Sequence, residues 1–542
     1  MSDFGTGSNP VFYFDGHKLF GCLIINAMEE MNSMKKMKGI FCVFLALSLS
    51  TALFAKGSQQ NNPEGTKIIR ALVPNQGGVD LNDGAANPVH LLIQERTGYT
   101  VTYDTLPADR PNDKLNAILA AGAADYDYIS LYAAGKEQYA QYASQGALMD
   151  MALLFKNTKY ISQLTPKALI DAVTVGDTFY CIPGLAATGR TSGANADNFL
   201  LIRTDLLNAL GLKMPTTLDE FTAMLQAFKD RDTVKAGSAN APLTVTMANL
   251  NNLRSTSIGG AFGVELNWSD QGGTLVPYQT QDGFFEFLQY LRELYVKGLM
   301  DPEMPTNNGA AVREKFTTNK ALVRVDGWWD IPALLATFKA SYPAASMEFI
   351  QPLSRNGKVG AAVSSINQVG FFTFIPRASK TYQTTMDFLD KKMEPELFKE
   401  TVIGKEGIDY TVNAQGGYDP ILPTFFDHRA NGDKYVTATS LEYGNYWLAR
   451  AKKDENQYKV FSQVNYDYDR FLHVDPSTDI PCADFVKISS TQVNSDNLTL
   501  EFMVNAVVSG IARSSFDAFV TDWKKQCGND LIAAYNSWYK GR

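Results

Sequence analysis

Three clusters of large rings stand where a protein recognises a ligand more readily than where it packs a core. Aromatic residues make up 12% of the 542-residue chain, with 25 Tyr and 6 Trp. Trp268 lies in Leu266-Asn267-Trp268-Ser269-Asp270. Trp328 and Trp329 follow Asp326-Gly327 and precede Asp330-Ile331-Pro332. Tyr443, Tyr446 and Trp447 fall within five residues that also hold Gly444 and Asn445. Each stretch mixes rings with turn formers and short polar side chains, which is not the spacing of a helical stripe. A sugar presents an apolar C–H face rimmed by hydroxyls. A ring covers the face while neighbouring Asp, Asn or Arg bond the rim, so half-wet rings suit such a ligand. Trp523 is the contrast: with Phe516, Phe519 and Val520 it keeps helical spacing, and it is expected in a core. Arg254, in the polar stretch 249–257, is a candidate partner for a ligand carboxylate, because guanidinium binds one with two parallel hydrogen bonds.

Other chemistries find little support. After residue 55 the histidines are His90, His428 and His473, far apart, and neither a His-x-x-x-His nor a paired Cys-x-x-Cys occurs. Asp80-Leu81-Asn82-Asp83-Gly84 hints at a calcium loop, but its glycine comes one residue early and Leu91 occupies the position that requires Glu, so a turn is expected. Nucleophile elbow and phosphate-loop patterns are missing. No metal, cofactor or catalytic residue is therefore assigned. A pair of carboxylates for glycosidic cleavage is set by space and not by sequence. That keeps a secreted carbohydrate-active hydrolase as the rival class, with a binding protein for a peptide or other small solute as a second rival. The formal charge is −8 and no basic run occurs in the body, which disfavours nucleic acid as a partner.

The N-terminus reads as an export signal. Lys35, Lys36 and Lys38 precede an uncharged apolar stretch from Gly39 to Ala55, followed by the polar Lys56-Gly57-Ser58. Residues 34–55 are read as a signal peptide, 1–33 as an upstream extension preceding the true start, and 56–66 as a flexible tail. The mature protein is then expected to begin near Lys56 in the periplasm. Cys42 follows Gly39-Ile40-Phe41 near the start of the apolar stretch, so a lipid anchor is not expected. Three cysteines remain, Cys181, Cys482 and Cys527, enough for one disulfide, with Cys482–Cys527 the pairing considered.

From Lys67 onward short apolar runs alternate with helical patterns: strands at 67–74, 99–106 and 126–131, helices at 88–97 and 112–121. That alternation predicts parallel sheet built from βαβ units. Thr217 and Glu220 form a capping box for a helix with Leu218, Phe221, Met224, Leu225 and Phe228 inward. Another helix is expected over 282–297, with Phe285, Leu288, Leu291, Leu294 and Tyr295 inward and Gly298 as its stop. Ser514 is expected to cap the helix that carries Trp523.

Several blocks carry a resemblance. Leu200-Leu201-Ile202-Arg203-Thr204-Asp205, continuing through Leu210-Gly211-Leu212 and Pro215 to Leu218-Asp219-Glu220-Phe221, is similar to a block of the extracellular solute-binding proteins of ABC importers, in particular their large oligosaccharide-type subgroup. Leu291–Glu303, Tyr180–Pro183 and the C-terminal Asp522-Trp523 with Gly528–Asp530 resemble further family segments, so the resemblance spans roughly residues 67–540. It implies a two-lobed α/β fold with discontinuous lobes and a ligand cleft at the hinge. Lobe 1 would take residues 67–183 and return at 376–440, with the apolar run 179–183 leading into the first crossing and 369–376 into the return. Lobe 2 would take 184–375, and 441–542 would pack mainly on lobe 2. Asp326–Trp329 is similar to a sugar-stacking segment of the family, which places Trp329 on the stacking ring, and Tyr132 sits in the loop position of a cleft tryptophan. Together with the rings and the arginine singled out above, the candidate ligand residues are Tyr132, Arg254, Trp268, Trp328, Trp329, Tyr443 and Trp447. The implied partners are a carbohydrate and the permease subunits of an importer, with the chain acting as a monomer. The family's usual lipid-bearing Cys is missing.

Overall fold

The main strands are, in chain order, β1 (Lys67–Val73), β2 (Tyr99–Thr105), β3 (Tyr128–Tyr132), β4 (Ile182–Leu185), β5 (Asn198–Arg203), β6 (Leu243–Thr244), β7 (Val323–Gly327), β8 (Met347–Phe349) and β9 (Val369–Phe374). The helices that matter most are α1 (Pro88–Thr97), α2 (Pro111–Ala120), α3 (Lys136–Ser144), α4 (Leu218–Arg231), α5 (Asp282–Val296), α6 (Tyr443–Ala451), α7 (Cys482–Ser509), α8 (Arg513–Trp523) and α9 (Asn529–Tyr539). These come from a computed structural model that describes residues 67–542 except 76, 108–110, 133–135, 186–197, 233–239, 365–368 and 541–542. The expected extension, signal peptide and tail at 1–66 lie outside the described residues.

Two sheets organise the chain. The first runs β2-β1-β3-β9-β4, with β1 parallel to β2 and β3, and β9 antiparallel to β3 and β4. The second runs β8-β5-β7-β6, antiparallel except for the β6–β7 pair. Each is buried on both faces, which explains the near-continuous apolar strands. In the first sheet Ala71 and Val73 pack one face with Tyr128 and Phe371, while Leu72 packs the other with Ile129 and Phe372. In the second, Leu200, Ile202 and Val323 face one core, while Phe199 and Leu201 face another with Trp328 and Phe461.

The chain leaves the first sheet through β4 and comes back through β9. β9 lies within the run 369–376 expected to lead into the return, and it is hydrogen-bonded between β3 and β4 in the first sheet. The C-terminal helices tie both lobes together. At its start α7 places Cys482 in the first sheet's core, and further on it places Met503 and Val507 in the second lobe's core.

Several local expectations hold. The Thr217–Glu220 capping box caps α4, and all five of its stripe residues are buried. Trp523 is buried and donates Nε1–H to Ser495 Oγ at 2.9 Å. Other details differ. In α5 the buried stripe is Phe284, Phe287, Leu288, Leu291 and Leu294, while Phe285 leans against Phe516 from the helix flank. α8 begins at Arg513 with Ala512 as N-cap, because Ser514 is already inside the helix. Cys181, Cys482 and Cys527 are buried. Cys482 sits in one core cluster with Cys181 and Cys527 in another, so the considered Cys482–Cys527 bond is not formed.

Candidate functional site: a chain of rings across the hinge

The geometry begins at the end of β3. Register pairs Tyr132 with Phe371 of β9, and their rings meet edge to face at 5.6 Å. Phe371 contacts Tyr443 at 6.2 Å, Tyr443 contacts Trp447 at 6.2 Å, Trp447 contacts Trp328 at 5.8 Å, and Trp328 contacts Trp329 at 5.6 Å. Six rings thus run without a break from the first sheet, over α6, to the end of β7 in the second. Four of the five contacts are edge to face, a preferred arrangement of aromatic pairs, and Tyr443 and Trp447 are tilted by 33°. Trp447 packs against the core clusters of both lobes.

The ends of this chain are exposed, and of the rings between them only Trp447 is half-buried. Tyr132 is 43% exposed and Trp329 is 48% exposed, whereas Trp328, Phe371 and Tyr443 are buried. Trp328 is held by Phe461 at 4.9 Å. The end rings therefore offer the largest faces to a ligand, and the buried rings Trp328, Phe371 and Tyr443 position them.

Local chemistry explains why Trp329 turns outward. A Cβ on Gly327 would lie 2.3 Å from Cζ2 of Trp329, so the indole lies across the bare glycine. Asp330 anchors the turn by accepting from Arg313 at 2.5 Å. Beneath, Asp326 accepts from the Gly327 amide at 2.8 Å and pairs with Arg324 at 3.1 Å. Burial pushes the Asp326 carboxyl up to about 6, against the pull of Arg324. At the other end the hinge strands are pinned to the segment before α6. Thr373 of β9 donates to the Thr437 carbonyl at 2.5 Å, and Thr439 Oγ1 accepts from the Leu185 amide of β4. Gly184 leaves room there, since a Cβ would come within 3.2 Å of Phe371.

Five of the seven residues chosen from sequence fall on this chain: Tyr132, Trp328, Trp329, Tyr443 and Trp447. Phe371, the link sequence reasoning missed, reads only as one more apolar residue in a buried strand. Trp268 and Arg254 lie elsewhere. Trp268 is buried against Tyr535, ring centroids 4.4 Å apart. Arg254 is fully buried and stacked over Tyr278, and it donates to Asn251, Asn267 and the carbonyls of Val264, Glu265 and Leu266. It is fully buried and turned to partners inside the protein, so it is withdrawn as a carboxylate partner.

At the loop from Asp80, the Asp80 side chain accepts the Asn82 amide and Asp83 accepts those of Ala85 and Ala86, as in a turn. Among the described residues no group of three His, Cys, Asp or Glu is placed to hold a metal. No helix among them is long and apolar enough to cross a membrane.

Two mixed lobes joined through β4 and β9, with rings gathered at the crossing, define a solute-binding fold. The chain belongs to the bacterial extracellular solute-binding protein family, whose model matches residues 93–414. It is 32% identical over 257 residues to an uncharacterized protein in the butB 5′ region of Niallia circulans, a match covering 47% of this chain and 98% of that one. It is 21% identical to the polygalacturonan/rhamnogalacturonan-binding protein YtcQ of Bacillus subtilis (strain 168), over 83% of this chain and 87% of the relative. In three dimensions it is similar to the ABC-transporter substrate binding protein FusA of S. pneumoniae, solved as an EF-hand mutant in complex with fructo-nystose. That match has a TM-score of 0.64 at 17% identity and covers 88% of this chain and 99% of the other.

Proposed function

We propose that this protein captures a carbohydrate between its lobes and delivers it to the permease of an ABC importer, without catalysing a reaction on it. The observation that carries the reading is the ring chain, with two exposed aromatic faces, one at the end of each central sheet. When the lobes approach, Tyr132 and Trp329 become opposing plates, and a sugar held between them is covered on both apolar faces. Binding energy then comes from ring contact and rim hydrogen bonds, and the ligand-stabilised arrangement is what a permease would recognise. Relatives named for polygalacturonan and fructo-nystose support a carbohydrate as the ligand. The chain would act as a monomer, exported through residues 34–55.

Incubating the purified protein with oligosaccharide mixtures tests this reading. We expect at least one mixture to raise the melting temperature, as any ligand specific to the folded state does, with every oligosaccharide recovered intact. Appearance of shorter products would replace transport with hydrolysis. Sequencing the N-terminus of protein released from native cells by osmotic shock checks export. We expect a start near Lys56, and a chain beginning at Met1 in the cytoplasm would contradict it.

A further inference from the structure

Away from the ring chain, the segment from Ala248 to Gln279 and the helices α7 to α9 enclose a second concavity of about 440 Å³. That lies within the range of roughly 300–1,000 Å³ that small-molecule pockets occupy. Trp268, stacked on Tyr535, forms an apolar wall. Behind the wall, Arg254 donates Nε to Asn251 Oδ1 at 2.9 Å and Nη2 to Asn267 Oδ1 at 2.6 Å. Both amides are thereby oriented, oxygen toward the guanidinium, so their NH2 groups are what these two lining residues offer to the cavity. Asp496 also lines it, with Gln492 Nε2 donating to its Oδ1 at 2.9 Å. Asp496 reaches solvent, yet surrounding protein pushes its carboxyl above the usual range, as at a concave position.

We propose that this cavity binds an uncharged, polyhydroxylated ring, a neutral sugar unit, with Asp496 accepting from its hydroxyls, the Asn251 and Asn267 amides donating to them, and Trp268 covering its apolar side. The proposal rests on the carbohydrate reading above and narrows it. Adjacent hydroxyls both donate and accept, which matches a carboxylate set among amide donors. A uronate would bring a second negative charge against Asp496, while Arg254 is fully buried and turned toward Asn251, Asn267 and the carbonyls of Val264, Glu265 and Leu266. Arg254 is therefore a positioning residue for the two amides.

The test is titration calorimetry with neutral oligosaccharides (malto-, xylo-, galacto- and fructo-series) and with oligogalacturonates of equal length. It is run on the wild type, Asp496→Asn, Trp329→Ala and Ala248→Trp, the last replacing an exposed residue of the lining. The wild type should prefer a neutral series by at least ~10-fold. Asp496→Asn should weaken that ligand by about 10-fold through loss of a charge-assisted acceptor, and Ala248→Trp should weaken it by filling the cavity. Both variants should melt like the wild type. Preference for oligogalacturonates, or unchanged affinity in Ala248→Trp and Asp496→Asn, overturns the proposal. If a sugar binds and only Trp329→Ala loses it, the cavity assignment alone falls. If no carbohydrate binds the wild type, the carbohydrate reading falls and the cavity assignment with it.

Discussion

Adjacent residues Trp328 and Trp329 divide one motif between stability and recognition. Trp328 is buried among Phe199, Ile331 and Phe461, so Trp328→Ala should cost about 3–5 kcal/mol of stability, as large-to-small core changes do. Trp329 is half exposed, and Trp329→Ala should leave the melting temperature nearly unchanged while weakening sugar binding by ~2–4 kcal/mol, as buried anchors do in complexes. Thermal melts and titration calorimetry on the pair read both outcomes, and the opposite split would exchange their roles. Gly327→Ala probes the same turn. Its φ of −104° and ψ of 151° suit alanine, but the new Cβ would occupy the space of the Trp329 ring. We expect weaker binding with little change in stability. Asp326 adds a pH signature. Its folded-state carboxyl, near 6, lies above the ordinary 3.8, so the folded state holds the proton more tightly than the unfolded chain. The destabilisation this causes is full above pH 6 and is relieved as pH falls from about 6 toward 4. Urea unfolding of wild type and Asp326→Asn at pH 7 and pH 5 should show the wild type gaining stability relative to the variant at the lower pH. At this scale the rings were legible in the sequence because breakers and short polar residues surround them. Whether a ring faces water was not, since that depends on neighbours such as Phe461, distant in sequence.

Elements with a local cause were the most readable. α1 spans Pro88–Thr97 as expected, with proline at its start and Gly98 in the left-handed region at its end. α4 follows from its capping box, in which Thr217 accepts from the Glu220 amide and the Glu220 side chain from the Thr217 amide. Thr217→Ala should therefore cost ~1 kcal/mol of stability and leave sugar affinity unchanged, read by chemical denaturation and calorimetry. α7 escaped sequence reading despite its 28 residues. Its middle, Ser489–Thr499, is polar on nearly every side. Its buried positions there are Ser495 and Thr499, which bond to Trp523 and within the helix, so no apolar stripe announces it. The shifted stripe of α5 has a related cause. Phe284 and Phe285 are both apolar, and only packing against Tyr278 and Phe516 decides which goes inward.

For the molecule as a whole, the family block and the alternation of strands and helices made the two-lobed fold legible. The apolar runs 179–183 and 369–376, each ending in proline, are where the crossings were expected, and β9 lies inside the second; its pairing with β3 and β4 ties it to the first sheet. By contrast, α7 bridges both lobes through contacts that no local pattern encodes. These links have a mechanical meaning. The segment before α6 is bonded to β9 and β4, and Trp447 on α6 touches the cores of both lobes, so a change in lobe angle must pass through the ring chain. Ligand that bridges Tyr132 and Trp329 should therefore select the closed arrangement. Small-angle X-ray scattering measures that directly, on the purified protein with and without a saturating concentration of the oligosaccharide that most raises its melting temperature. The account predicts a smaller radius of gyration with ligand in the wild type and none of that contraction in Trp329→Ala under the same conditions. A wild-type radius of gyration unchanged at saturation would contradict capture by closure of the two lobes.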